Sequence, residues 1–146
     1  MKFIYDDGGR AAAGYSGTAG DCVCRAVAIA TGRPYFMVHA ELRKIGWGER
    51  RIFRDEDGLY RSRSDTRYTL REYMNDIGWR WVPIMKIGSG CTVHLRTGEL
   101  PPAPRLIARV TRHWVAVIHG VIRDTHDPSR GGMRCVYGYF IPQKGE

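Results

Sequence analysis

The stretch GTAGDCVCRAVAIATG, residues 17–32, predicts the helix on which the rest of the fold depends. Asp21 is a good N-cap, because its carboxylate can accept hydrogen bonds from backbone N–H groups one turn later, and Gly32 followed by Pro34 ends the helix. Between these limits, apolar residues recur at the i, i+3, i+4, i+7 spacing of one helix face: Val23, Ala26, Val27 and Ala30. We expect this face to pack against a sheet.

The rest of the pattern places helices before strands. A second helix is predicted over residues 35–44, and a third begins with Thr69 and Glu72 at the spacing of a capping box. Strands are predicted at residues 2–5, 79–88, 104–110 and 133–142, with a hairpin over 113–127. This order indicates an α+β fold in which the central helix, with its cysteine at the N-terminus, packs on an antiparallel sheet.

The length of 146 residues fits a single domain, residues 1–146. Residues 47–65 carry charges of both signs without periodicity, which predicts a flexible loop or insertion. No apolar run approaches the roughly 18 residues of a membrane span, and the N-terminus does not read as a secretory signal. Four cysteines without a dense framework favour a reducing compartment. We therefore expect a cytoplasmic protein that does not associate with membranes.

The net charge of +8 raises the question of an anionic partner, either nucleic acid or an acidic protein. Arginine far outnumbers lysine, and the chain has a single asparagine and a single glutamine, Asn75 and Gln143, a skew typical of a GC-rich genome. Neither an RNP-like aromatic motif nor zinc-finger spacing is present. Nucleic acid is therefore disfavoured as the main substrate, and an acidic partner protein stays open.

The position of Cys22 is suited to a nucleophile. It directly follows the predicted N-cap, where unpaired N–H groups and the helix dipole lower a thiol pKa. Cys24 projects about 200° away on the helix and is expected to pack in the core as a small hydrophobe. A cysteine nucleophile also needs a histidine base and a group that orients the histidine.

The predicted hairpin supplies both partners. If Ile118 pairs with Val121 across a turn at His119–Gly120, strand alternation puts His113 and Asp124 on one face. Three aliphatic side chains share that face: Val115, Val117 and Ile122. Such a face is buried, and a buried carboxylate needs a partner. We therefore predict that His113 is the base and that Asp124 orients it.

The cysteines have two alternative uses, as a redox pair or as part of a zinc site. A thioredoxin-like redox site needs two cysteines separated by two residues, whereas Cys22 and Cys24 are separated by one and point apart. A zinc site made of Cys22, His113 and Asp124 is chemically competent, because all three are zinc ligands. The preferred hypothesis has neither metal nor cofactor.

The sequence resembles the papain-like cysteine peptidases, in particular small phage-encoded and bacterial proteins of that superfamily. The resemblance is carried by AGDCVCRAVAIATG at residues 19–32 and RHWVAVIHGVIRDTHDPSR at residues 112–130. It implies a papain-like fold with Cys22 as nucleophile, His113 as base and Asp124 as orienting residue. The implied activity is a thiol hydrolase that cleaves an amide or (iso)peptide bond of a protein or peptide substrate through a thioester.

One position departs from the family pattern. Papain-like peptidases usually carry a glutamine a few residues before the cysteine as an oxyanion donor, and Ser16 and Thr18 stand in that region here. The oxyanion donors are therefore expected among Ser16, Thr18 and the backbone N–H of Cys22. The superfamily also contains acyltransferases, transglutaminases and inactive members, so a non-catalytic basic binding protein on the same fold is the alternative.

Overall fold

The computed structural model describes residues 1–15, 21–44, 52–54, 60–62, 70–85 and 88–143, and for 52–54 and 60–62 the backbone alone. The helices of this part of the chain are α1 (Cys22–Thr31), α2 (Tyr35–Lys44) and α3 (Leu70–Asp76). The strands are β1 (Lys2–Tyr5), β2 (Ile52–Arg54), β3 (Tyr60–Ser62), β4 (Trp79–Pro83), β5 (Arg105–Val110), β6 (His113–Ile118), β7 (Val121–Asp124) and β8 (Gly138–Pro142). The predicted α+β class is confirmed.

Six strands form one sheet in the order β1-β7-β6-β5-β8-β4. The predicted hairpin is confirmed: Ile118 pairs with Val121, and the turn residues His119 and Gly120 have φ values of 48° and 75°. Positive φ at both central residues matches the twist of the flanking strands. The expectation of a purely antiparallel sheet was wrong, because β1 pairs with β7 in parallel. These two strands are far apart in sequence, so no tight turn imposes an antiparallel direction.

The predicted packing of α1 on the sheet is also confirmed. α1 contacts β5, β6 and β7. Its apolar face belongs to one core cluster with Ile107, Trp114, Ala116 and Phe140. Side chains that alternate with these along the strands form a second core cluster with Leu95 and Val136. Both faces of the central strands are therefore covered, which explains the continuous hydrophobicity of β6.

Some of the other local predictions are confirmed, and others fall on residues outside the described part of the chain. The helix over residues 35–44 is found with those bounds, and α1 ends at Gly32 with φ 76°. Within the predicted loop 47–65, β2 and β3 pair as a short antiparallel ribbon, and the remainder of the loop lies outside the described residues. Thr69 lies outside them too, which leaves its capping box untested.

The cysteines outside α1 depart from expectation. Cys91 and Cys135 form a disulfide with a Cα–Cα distance of 5.8 Å across a sequence separation of 44. An isolated antiparallel bridge between His94 and Cys135 brings the two segments together. The sequence did not predict this disulfide, because it depends on a long-range pairing of segments. The reducing compartment and the cytoplasmic location stay predictions. Among the described residues, no helix is long and apolar enough to cross a membrane.

Candidate active site

The candidate active site lies where α1 begins, β6 begins and β7 ends. Cys22 is the first residue of α1 and is partly buried, and its thiol interacts with the side chain of His113, the first residue of β6. Pairing between β6 and β7 runs only from Ile118 to Ala116. The backbone N–H of Trp114, the residue after His113, also favours the thiolate form of Cys22.

His113 connects the thiol to a carboxylate. Its Nε2 lies 2.5 Å from Oδ2 of Asp124, the last residue of β7, and both side chains are nearly buried. Since Nε2 is engaged with Asp124, Nδ1 is the ring nitrogen that remains for Cys22. The structure thus brings together the three residues that the sequence predicted, in the order thiol, imidazole, carboxylate.

Asp124 is held by more than the histidine. Its Oδ1 accepts a hydrogen bond of 2.7 Å from the backbone N–H of Thr125 and lies 3.6 Å from Nη2 of Arg25. These donors hold the Asp124 carboxylate in place and favour its charged form. The carboxylate in turn orients the His113 ring. Arg25 is three residues after Cys22 on α1, so the helix itself supplies a cation to the site.

The electrostatics favour a thiolate–imidazolium pair. Burial opposes ionisation of Cys22, but the hydrogen bond and charge of His113, with the Trp114 N–H, outweigh it and lower the pKa of Cys22 below its usual 9.0. Burial likewise disfavours the imidazolium, but hydrogen bonds to Asp124 and Cys22 raise the pKa of His113 to about 9. The pKa of Asp124 is lowered, because the His113 hydrogen bond and charge outweigh burial. All three shifts favour the charged thiolate–imidazolium pair over the neutral one.

Asp21 differs from its predicted role. Its side chain makes no N-cap hydrogen bond. Its carboxylate instead forms ion pairs with Arg25 and with Nε of Arg10, the latter at 3.0 Å, and accepts a 2.5 Å hydrogen bond from the Tyr35 hydroxyl. Charged and phenolic donors compete successfully with the backbone for this carboxylate. Asp21 thereby positions Arg25 between itself and Asp124.

Cys24 is buried as predicted, with 4% of its surface exposed. Its sulfur lies 3.9 Å from the carbonyl oxygen of Tyr35. Burial, together with the charge of Asp21, raises the pKa of Cys24 to about 12. Since Cys91 and Cys135 are joined in the disulfide, Cys22 is the one cysteine whose thiol is both free and inclined to ionise.

Of the three predicted oxyanion donors, Ser16 and Thr18 lie outside the described residues. The backbone N–H of Cys22 belongs to the first turn of α1, where N–H groups have no acceptor within the helix. It is therefore available in principle to a developing oxyanion next to the Cys22 sulfur.

Two groups of side chains within the described residues have the donor atoms that a metal needs. His113, Asp124 and His126 form one of them, and Cys91, His94 and Cys135 form the other. Ligand atoms of a tetrahedral zinc lie roughly 3.3 Å apart, given bond lengths near 2.0–2.1 Å. The 2.5 Å between His113 and Asp124 is shorter, which favours a direct hydrogen bond. In the second group, the disulfide occupies both sulfurs.

A cavity of about 370 Å³ opens beside His113. It is lined by Thr111, Arg112, His113, His126, Arg130 and Arg134. Another cavity of the same volume lies at the opposite end of β6, beside His119 and Gly120, and none of the three candidate site residues lines it. The cavity beside His113 therefore reaches the candidate site through the imidazole, and neither Cys22 nor Asp124 lines it.

Sequence reasoning missed two neighbours of the site. Arg25 could have been found from its i+3 relation to Cys22 and its i+4 relation to Asp21. His126 follows β7, and its ring centroid lies 5.0 Å from that of His113. No local sequence pattern predicts this contact. Comparison of the chain with models of protein families, with curated proteins and with solved structures finds no match.

Proposed function

We propose that this protein is a cysteine-dependent hydrolase of amide or (iso)peptide bonds. The observation that carries the proposal is the His113–Asp124 hydrogen bond beside the Cys22 thiol, which interacts with His113 and lies at the N-terminus of a helix. The resemblance of residues 19–32 and 112–130 to papain-like cysteine peptidases supports it, since those peptidases have a cysteine, then a histidine, then an aspartate or asparagine in this order along the chain.

The proposed reaction begins with the thiolate of Cys22, which attacks the carbonyl carbon of the substrate. The backbone N–H of Cys22 stabilises the resulting oxyanion. The imidazolium of His113 then donates its Nδ1 proton to the departing amine, and the C–N bond breaks to leave a thioester on Cys22. A water molecule loses a proton to His113 as it attacks the thioester, which releases the carboxylic acid and restores the thiolate.

Asp124 acts in this scheme through His113. It accepts the Nε2 hydrogen bond in both halves of the reaction, so the ring keeps Nδ1 toward the sulfur. Arg25 acts one step further away, because it pairs with Asp124 and Asp21 and contributes positive charge that favours the thiolate. Both are positioning residues.

The test uses p-nitrophenyl acetate, a generic acyl donor that requires no knowledge of the natural substrate. We expect a burst of p-nitrophenol equal to the enzyme concentration and a mass increase of one acetyl group on the Cys22 peptide. Cys22→Ser and His113→Ala should lose the burst, whereas Cys24→Ala should retain it, because Cys24 is buried away from the site. Acetylation elsewhere, or no burst from the wild type, would refute the proposal and favour the non-catalytic binding protein.

A further inference from the structure

The cavity beside His113 has an unusual concentration of positive charge. Three of its six lining residues are arginines and two are histidines, and no carboxylate lines it. The ordinary arrangement on a protein surface intersperses both signs of charge, because like charges that are close together repel. The rim is therefore prepared for an anion that the protein itself does not provide.

The arginines differ in how they are engaged. Arg134 donates to the carbonyl oxygens of Thr111 and Pro128, so it braces the turns that carry the other two. Burial and the nearby cation of Arg130 lower the pKa of Arg134, which reflects the repulsion within the cluster. None of the ion pairs among the described residues involves Arg112 or Arg130.

The backbone at the two exposed arginines is also unusual. Arg112 has φ 56° and Arg130 has φ 52°, which is the left-handed region that side chains other than glycine rarely adopt. Arg112 lies in the turn between β5 and β6, and Arg130 lies in the turn that follows β7. Residues held in this region cluster at functional sites. Two arginines with this backbone line the same cavity, next to the proposed base.

We propose that Arg112 and Arg130 form a carboxylate-binding subsite that selects substrates with an acidic group next to the bond cleaved at Cys22. A guanidinium presents paired N–H donors that match the two oxygens of a carboxylate. The cavity shares His113 with the catalytic line, so an anion bound there belongs to the part of the substrate that lies on the histidine side of the thiol. The inference rests on the proposed function of Cys22.

The test compares two alkylating agents that differ in charge. Iodoacetate carries a carboxylate and iodoacetamide is neutral, and both alkylate the Cys22 thiolate by loss of iodide. We expect the rate constant for iodoacetate, divided by that for iodoacetamide, to fall about threefold in Arg112→Gln and in Arg130→Gln. In the double variant this ratio should fall about tenfold. The rate with iodoacetamide reports directly that fold and thiolate are intact in each variant.

The matched control is Arg80→Gln, which makes the same charge change at an exposed residue of β4. This edge strand is separated from β6 by β5 and β8. An equal fall in this control, or an unchanged ratio in the double variant, would overturn the subsite while Cys22 remains reactive. Slow alkylation of the wild type by both reagents would instead refute the proposed function. Protection of Cys22 by oligothymidylate but not by polyglutamate of equal length would assign the cavity to phosphates and overturn the carboxylate assignment.

Discussion

The replacement Asp124→Asn tests the origin of the charged pair at the site. The pKa of His113 is raised to about 9, and the hydrogen bond to Asp124 is the largest of the interactions that raise it. Compared with the usual 6.5, this corresponds to about 3 kcal/mol of preferential stabilisation of the imidazolium. Asparagine keeps an acceptor for Nε2 but removes the charge, so the geometry survives and the stabilisation falls.

The expected effect on the thiol follows from the protonation of His113. At pH 7.5, a group with a pKa of about 9 is protonated in roughly 97% of molecules, against roughly 10% for a pKa of 6.5. Because Cys22 continues to interact with His113 in the variant, the fall is partial. We expect alkylation of Cys22 by iodoacetamide at pH 7.5 to slow by about three- to tenfold.

The assay is the second-order rate of alkylation between pH 5 and 10, with the adduct located by mass spectrometry. In the wild type the rate should rise through an inflection below pH 9, because the pKa of Cys22 is lowered, and in Asp124→Asn the inflection should move upward. Asp127→Asn is the matched control, since that carboxylate accepts a 3.0 Å hydrogen bond from the Ser129 N–H. A wild-type inflection at 9, or equal profiles for wild type and Asp124→Asn, would refute the reasoning.

Three further predictions concern stability and are checked by urea unfolding. Reduction of the disulfide, or Cys91→Ala, should lower the free energy of unfolding by about 4 kcal/mol, because the bridge closes a loop across a separation of 44 residues, and the variant should no longer respond to reductant. Folding lowers the pKa of Asp124, so the ionised carboxylate adds to the free energy of unfolding above pH 3.8, and this contribution is lost as the pH falls further. The difference in free energy of unfolding between wild type and Asp124→Asn should therefore shrink from pH 5 to 3. Gly138→Ala should cost about 1–3 kcal/mol, because its Cβ would collide with the Trp81 ring, and an unchanged unfolding midpoint would contradict this packing.

Much of the site was predictable because its chemistry depends on short-range rules. Strand alternation and a two-residue turn at His119–Gly120 are enough to place His113 near Asp124. Helical periodicity identified the buried face of α1, and the helix start gave Cys22 its position relative to Cys24. Each of these rules operates over a few residues, so the amino-acid pattern contains the information.

The sequence by itself therefore determined α1, the β6–β7 hairpin and three residues that come together. The tertiary structure alone decided the features that depend on segments far apart in the chain. The parallel pairing of β1 with β7, the disulfide between Cys91 and Cys135 and the cationic cavity beside His113 are of this kind. Asp21 also shows this difference between local and long-range effects. A local rule predicted that its carboxylate caps α1, but the carboxylate instead contacts Arg10 and Tyr35. Local rules fix φ, ψ and side-chain direction, whereas which distant groups meet depends on how the whole core packs.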